Sequence, residues 1–194
     1  MAEPLLLVGL GNPGLRYAGT RHNVGFDLIH SLAASLGLAL RRPLLRRDLR
    51  WSGPSSSVPQ ILVQPLTYMN RSGEVLPWLL RRTGSGVDRT VILVDNMDLP
   101  PGEIRMKERG GAAAHNGLKS VSAALGSEEY PRLYLGVGRP PAGEGVIDHV
   151  LGRFSEGDRR LVDAALERAV SVLRDPPGQL SQLISAVNEL RRPV

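Results

Sequence analysis

The polar side chains best placed for chemistry in this chain are a histidine, an aspartate and three asparagines, all at the junctions between apolar segments. His22 lies between a glycine-rich run, Gly9-Leu10-Gly11-Asn12-Pro13-Gly14, and a stretch whose apolar residues recur at helical spacing (Val24, Leu28, Ile29, Leu32, Leu36). The partial positive charge of a helix N-terminus disfavours imidazolium, so a ring placed there stays neutral and able to accept a proton. Asp95 closes the apolar run Thr90 to Val94. A carboxylate at a strand end would accept an N–H from His22, fix its tautomer and support the charged ring formed during a reaction. Each residue also has a plainer reading: a hydrogen-bonding residue at a helix start for His22, and a turn aspartate ahead of Met97-Asp98-Leu99-Pro100-Pro101-Gly102 for Asp95. Asn12, Asn70 and Asn116 fall at strand exits or helix entrances. Singly they suit helix caps; together they would line one cleft with neutral groups suited to an amide or an oxyanion. With no cysteine and no Gly-x-Ser-x-Gly elbow, a base with an aspartate partner implies an activated water as the attacking group.

Strands alternating with helices must position these residues. Leu5 to Leu10 has the short, continuous apolar pattern of a buried strand, and Val24 to Leu36 that of a helix stopped near Gly37. Arg50–Ser52 and Gln60–Gln64 follow as two strands around a Gly-Pro-Ser-Ser-Ser loop. A helix is expected from Ser72 to Arg82 with Pro77 inside it, then strands at Thr90–Val94 and Ile104–Lys107. A helix from Asn116 to Leu125, a strand from Arg132 to Val137, and helices over Glu156–Arg174 and Gln179–Leu190 complete the pattern. The proline- and glycine-rich stretch 138–152 is expected to form a mobile flap. This order predicts an α/β fold, a single three-layer domain over residues 1–194, with a mixed twisted sheet flanked by helices.

The 194 residues, 42% of them hydrophobic, suffice for one domain with a substantial core. Absence of cysteine excludes disulfides and thiolate-held metals. The four histidines show no H-x-x-x-H spacing, so no metal site is expected. Glu3 and the break at Gly-Asn-Pro-Gly are unlike a signal peptide, and no stretch approaches the ~20 apolar residues that span a bilayer. A cytoplasmic protein with no membrane partner is therefore expected. The G-x-G-x-x-G match at Gly9–Gly14 lacks both an immediate helix and an acidic residue about 20 positions on, which argues against a dinucleotide site.

Net charge is +5, carried almost wholly by arginine, with Lys107 and Lys119 the only lysines. Arginines cluster at Arg41-Arg42, Arg46-Arg47, Arg50, Arg81-Arg82, Arg159-Arg160 and Arg191-Arg192. Arg105, Lys107 and Arg109 alternate, which on a strand puts all three on one face beside Gly110-Gly111. Such a face suits a polyanion such as nucleic acid.

Five motifs in order carry a resemblance. Gly9-Leu10-Gly11-Asn12-Pro13-Gly14 with Tyr17, Arg21-His22-Asn23, Tyr68-Met69-Asn70-x-Ser72-Gly73, Asp95-x-x-Asp98-Leu99-Pro100-Pro101-Gly102 and His115-Asn116-Gly117-Leu118-Lys119-Ser120 are similar to bacterial peptidyl-tRNA hydrolases. The resemblance implies a monomeric enzyme without metal or cofactor whose substrate is tRNA still esterified to a peptide, and whose product is free tRNA for translation. It assigns His22 as the base that activates water, Asp95 as its orienting carboxylate, and Asn12 as a discriminator of blocked from free α-amino groups. Tyr17, Tyr68, Asn70 and Asn116 would contact substrate, Met69 would wall the peptide side, and Lys107 would grip the tRNA 5′ phosphate. Three departures stand out: Ala112-Ala113-Ala114 replaces glycine-rich sequence and would stiffen or narrow the cleft, Asn96-Met97 separates the aspartates, and Tyr134 occupies the second phosphate-clamp position. Arg132 and Arg139 are the candidate substitutes. The competing readings are a non-catalytic RNA-binding scaffold of the same fold and a nucleotide-dependent oxidoreductase.

Overall fold

Alternating side chains decide the layering. In strand β1 (Leu5–Gly9), Leu5 and Leu7 join one hydrophobic cluster while Leu6 and Val8 join another, on the opposite face of the sheet. In the computed structural model, which describes residues 3–55 and 58–191, the first cluster is covered by helices α1 (Val24–Leu36), α5 (Glu156–Leu173) and α6 (Leu180–Glu189). The second is covered by α2 (Leu76–Thr83) and α3 (Asn116–Leu125). Ser56 and Ser57 of the expected serine loop, and Arg192, lie outside the described residues.

Six described strands form one mixed sheet in the order β2-β3-β1-β4-β6-β5. β2 (Leu49–Trp51) runs antiparallel to β3 (Gln60–Pro65), and β5 (Ile104–Lys107) antiparallel to β6 (Arg132–Gly136). β3, β1, β4 (Thr90–Asn96) and β6 are parallel. The chain leaves β1 toward β3 and returns to β4 on β1's other side, so the carboxyl ends of β1 and β4 are where the order reverses. Open α/β sheets hold ligands in the crevice there. The three-layer α/β fold with a mixed sheet is thus the one expected, with local differences. β4 continues through Asp95, so the aspartate belongs to the strand rather than to the turn after it. Pro77 sits in the first turn of α2, where its missing N–H costs nothing, and a 3₁₀ turn (Met69–Val75) precedes it. Six residues of the expected flap form helix α4 (Val146–Leu151). The buried His149 ring lies 3.0 Å from the Gly138 carbonyl and 3.2 Å from Glu144, tying the segment to itself.

The approach of α1 to the sheet depends on two glycines. A Cβ on Gly25 would lie 2.5 Å from the Leu93 carbonyl oxygen and 2.6 Å from that of Leu10, and one on Gly9 would lie 2.3 Å from the Gly25 carbonyl. Backbone cannot yield as a side chain can, so Gly25→Ala is expected to cost about 1–3 kcal/mol or more, measurable by denaturant unfolding. It should also lower activity, because α1 carries His22 to the mouth of β4.

Candidate active site

His22 occupies a 3₁₀ turn (Arg21–Asn23) that leads into α1. Arg21 fastens that turn to the segment around α4 by donating to the carbonyls of His149 (3.2 Å) and Arg153 (2.9 Å). Asp95 reaches the same point from β4. His22 Nδ1 lies 2.9 and 3.0 Å from the two Asp95 oxygens. An ionised carboxylate only accepts, so Nδ1 carries the proton and Nε2 is the basic atom. The geometry brings His22 and Asp95 together as a hydrogen-bonded pair, the arrangement that a catalytic reading of the two residues requires.

A third residue completes the cluster. His115 caps α3 with its side chain: Nδ1 accepts from the backbone N–H groups of Gly117 (3.1 Å) and Leu118 (3.3 Å). Its proton is therefore on Nε2, which donates to Asp95 Oδ1 at 3.0 Å. Sequence reasoning passed over His115. The available signal was a histidine immediately before a helix, where the orphan N–H groups fix one ring nitrogen as an acceptor.

These contacts set the charges. Burial of Asp95 opposes its ionisation, but His115 and His22 outweigh it and hold the carboxyl well below the usual range. Burial also opposes a charged His22, yet the attraction and hydrogen bond of Asp95 prevail, and its pKa lies above the ordinary 6.5. The expectation that the helix N-terminus keeps the ring neutral is thereby corrected, whereas the expected support of the imidazolium by Asp95 is the effect that raises the pKa. His22, Asp95 and His115 bring ligand-type atoms within 4.8 Å of one another. A neutral imidazole ligating a metal through Nε2 must carry its proton on Nδ1. His115 Nδ1 faces two N–H donors, so the cluster is built for hydrogen bonding rather than for metal.

Asn12 is buried and oriented. Its backbone N–H donates to Asn23 Oδ1 (2.8 Å), Asn23 Nδ2 donates back to the Asn12 carbonyl (3.0 Å), and Asn12 Oδ1 accepts from the Met69 N–H (2.8 Å). With the oxygen so used, Nδ2 is left to donate to a ligand, and no protein acceptor for it occurs among the described residues. Asn23, which sequence reasoning gave no role, closes the glycine-rich loop. Met69 is buried, and a Cβ on Gly117 would come within 2.5 Å of its sulfur. Tyr17 and the exposed Tyr68 meet edge to face at 6.4 Å. Asn70 and Asn116 are exposed, at the starts of two elements fastened together by the bond from the Gly73 N–H to Ser120 Oγ (3.0 Å). Ala112 is buried and Ala113 adopts a left-handed φ of 47°, so the stretch replacing glycines carries backbone strain.

The basic face is narrower than expected. Arg105 and Lys107 project from β5 opposite the buried Ile104 and Met106, whereas Arg109 lies past the strand end and pairs with Glu129 at 3.0 Å. Lys107 is level with Arg132, three residues short of Leu135, which pairs with Asp95. It is therefore apart from the cluster. Arg132 is fully buried, donates to the carbonyls of Gly111 (2.8 Å) and Glu128 (3.0 Å), and stacks on Tyr130. It anchors the loop before His115 and is no substitute phosphate ligand. Tyr134 is buried as well; Arg139 is exposed and paired with Asp98 at 2.6 Å.

Fold and site together define a class: a single α/β domain with a mixed sheet, whose reversal point holds a hydrogen-bonded histidine–aspartate pair beside an oriented asparagine amide. The peptidyl-tRNA hydrolase family model matches residues 6–192. Relatives include the peptidyl-tRNA hydrolases of Moorella thermoacetica, 43% identical over 90% of this chain and 91% of that protein, and Symbiobacterium thermophilum, 45% identical over 87% and 89%. The crystal structure of peptidyl-tRNA hydrolase from Acinetobacter baumannii superposes with a TM-score of 0.84 at 34% identity, covering 97% of this chain and 96% of that one. A peptidyl-tRNA hydrolase complexed with N-propanol superposes with 0.88 at 33% identity, covering 100% and 98%. The chain belongs to the peptidyl-tRNA hydrolase family.

Proposed function

We propose that this chain hydrolyses the ester joining a peptide, or an N-blocked aminoacyl group, to the 3′ ribose of tRNA. The observation that carries this is the assembled His22–Asp95 pair beside an Asn12 amide whose oxygen is already bonded. Nε2 of His22 takes a proton from water as the oxygen attacks the acyl carbonyl. Asn12 Nδ2 donates to the oxyanion, with Asn116 supporting it or the water, and ionised Asp95 stabilises the imidazolium. The imidazolium then returns its proton to the departing ribose oxygen. Tyr17, Tyr68, Asn70 and Met69 border the acyl side. A scaffold that only bound RNA would have no use for a base oriented in this way. The decisive experiment incubates purified protein with N-acetyl-aminoacyl-tRNA and follows deacylated tRNA; absence of release would overturn the reading.

The same reading makes Lys107 a phosphate contact and the enzyme a cytoplasmic monomer acting on a product of translation. No helix among the described residues is long and apolar enough to cross a membrane. Lys107→Ala is expected to weaken binding of full tRNA and to flatten the salt dependence of affinity by about one phosphate contact. Hydrolysis of a short substrate lacking the acceptor-stem phosphate should change little. Equal losses on both substrates would remove Lys107 from the RNA-binding surface.

A further inference from the structure

At the sheet edge opposite Lys107, one arginine-rich segment remains without a role. Arg41 and Trp51 exchange two backbone hydrogen bonds of 2.9 Å, making 41–51 a hairpin-like extension beyond β2. At its tip Leu44 and Leu45 are 89% and 94% exposed, and Leu45 holds a φ of 63°, a costly conformation for a bulky side chain. The tip is braced. Arg46 pairs with Asp48 and lies over the Trp78 ring, and the Leu66 N–H donates to the Asp48 carbonyl at 2.7 Å. Arg41, Arg42 and Arg47 are exposed, and among the described residues none has an acidic partner. Two leucines are thus held in water among three uncompensated cations.

The location suggests what meets them. Leu49 is level with Pro65, so the tip stands at the carboxyl edge of the sheet, on the same edge as Asp95. Two strand spacings, about 10 Å, separate β2 from β1, and an extended peptide covers that in about three residues. The scissile ester joins RNA to peptide. With RNA held toward β5 by Lys107, the peptide must leave past Tyr68 toward β3 and β2. We propose that the 41–47 tip is a peptide subsite, engaging residues about three to five from the ester and favouring acidic and apolar side chains. Leucines do not stack on bases as aromatic rings do, so an RNA partner fits this tip less well. The inference rests on the proposed hydrolysis and on the RNA lying toward Lys107.

The test compares three substrates on one tRNA: an N-acetyl-aminoacyl group, a pentapeptide with acidic and leucine residues at positions three to five from the ester, and the same peptide with lysines there. The enzyme is expected to prefer the acidic-apolar peptide over the basic one in kcat/KM by at least about fivefold, the scale of two or three exposed charge contacts. Arg41→Gln/Arg42→Gln/Arg47→Gln should abolish the charge preference. Leu44→Ser/Leu45→Asn, which suits the left-handed backbone, should lower the rate on the acidic-apolar peptide alone. Both variants should hydrolyse the N-acetyl substrate as the parent does. A preference absent in the parent, or unchanged in the variants, overturns the proposal. Loss on the N-acetyl substrate with a flattened salt slope would make the tip an RNA contact, which also overturns it. Failure of the parent on all three substrates would sink the hydrolase reading itself.

Discussion

Replacing His22 with alanine is expected to lower the rate of ester hydrolysis at least ~10²-fold, the scale of losing a general base. The fold should persist, because His22 lies in a turn at the cleft and the core beneath it is formed by Val24, Leu28 and Ile29. Single-turnover measurement with N-acetyl-aminoacyl-tRNA isolates the chemical step, and unfolding curves report the fold. Near-parental turnover would remove His22 as the base. In the unaltered enzyme the neutral ring is the active form. Its raised pKa therefore predicts activity that falls as pH drops through a value above 6.5. The stability contributed by the same pair has the opposite sense: it is fully present below the unfolded pKa of about 6.5 and is lost as pH rises through the folded value.

Asp95→Asn is expected to reduce the maximal rate by about 10²-fold or more while moving the acid limb of the profile to lower pH. The amide can offer its N–H to His22 Nδ1, which places the ring proton on Nε2, the wrong tautomer for a base. Loss of the carboxylate also removes the attraction that outweighs burial, so His22 becomes harder to protonate. His115 makes this substitution structural as well, because its Nε2 donates to the same Asp95 oxygen. A lowered midpoint of unfolding is therefore expected alongside the catalytic loss. The pH profile separates the two effects: a merely structural aspartate would change stability and leave the limb where it was. An unchanged rate with a lower midpoint would return Asp95 to the role of a turn residue. Asp95's own stabilisation is present above the usual carboxylate pKa and is lost as pH falls through its depressed folded value.

Much of the site was legible because its signals are local. A glycine-rich strand exit, a polar residue before an amphipathic helix and an aspartate closing an apolar run each depend on a few neighbouring residues. Periodicity located the strands and helices for the same reason. Lys107 on an exposed strand face was equally readable, since alternation places Ile104 and Met106 inward. α4 escaped notice because only six residues of helical pattern lie inside a proline- and glycine-rich stretch.

Other features depend on partners distant in sequence. Asp95 and His115 are 20 positions apart and are hydrogen-bonded only because the fold brings the capping residue of α3 to the end of β4. That Asn12 would offer its nitrogen follows from the Met69 N–H, 57 positions away, occupying its oxygen. Arg132 and Arg109 looked like free cations, but Arg132 is buried against Tyr130 and Arg109 is paired with Glu129. Residue type and periodicity act through the nearest turn or strand, and so located the elements and picked out His22 and Asp95 as the residues to watch. Which donors and charges remain free is set by who occupies them, and those occupants are chosen by tertiary packing.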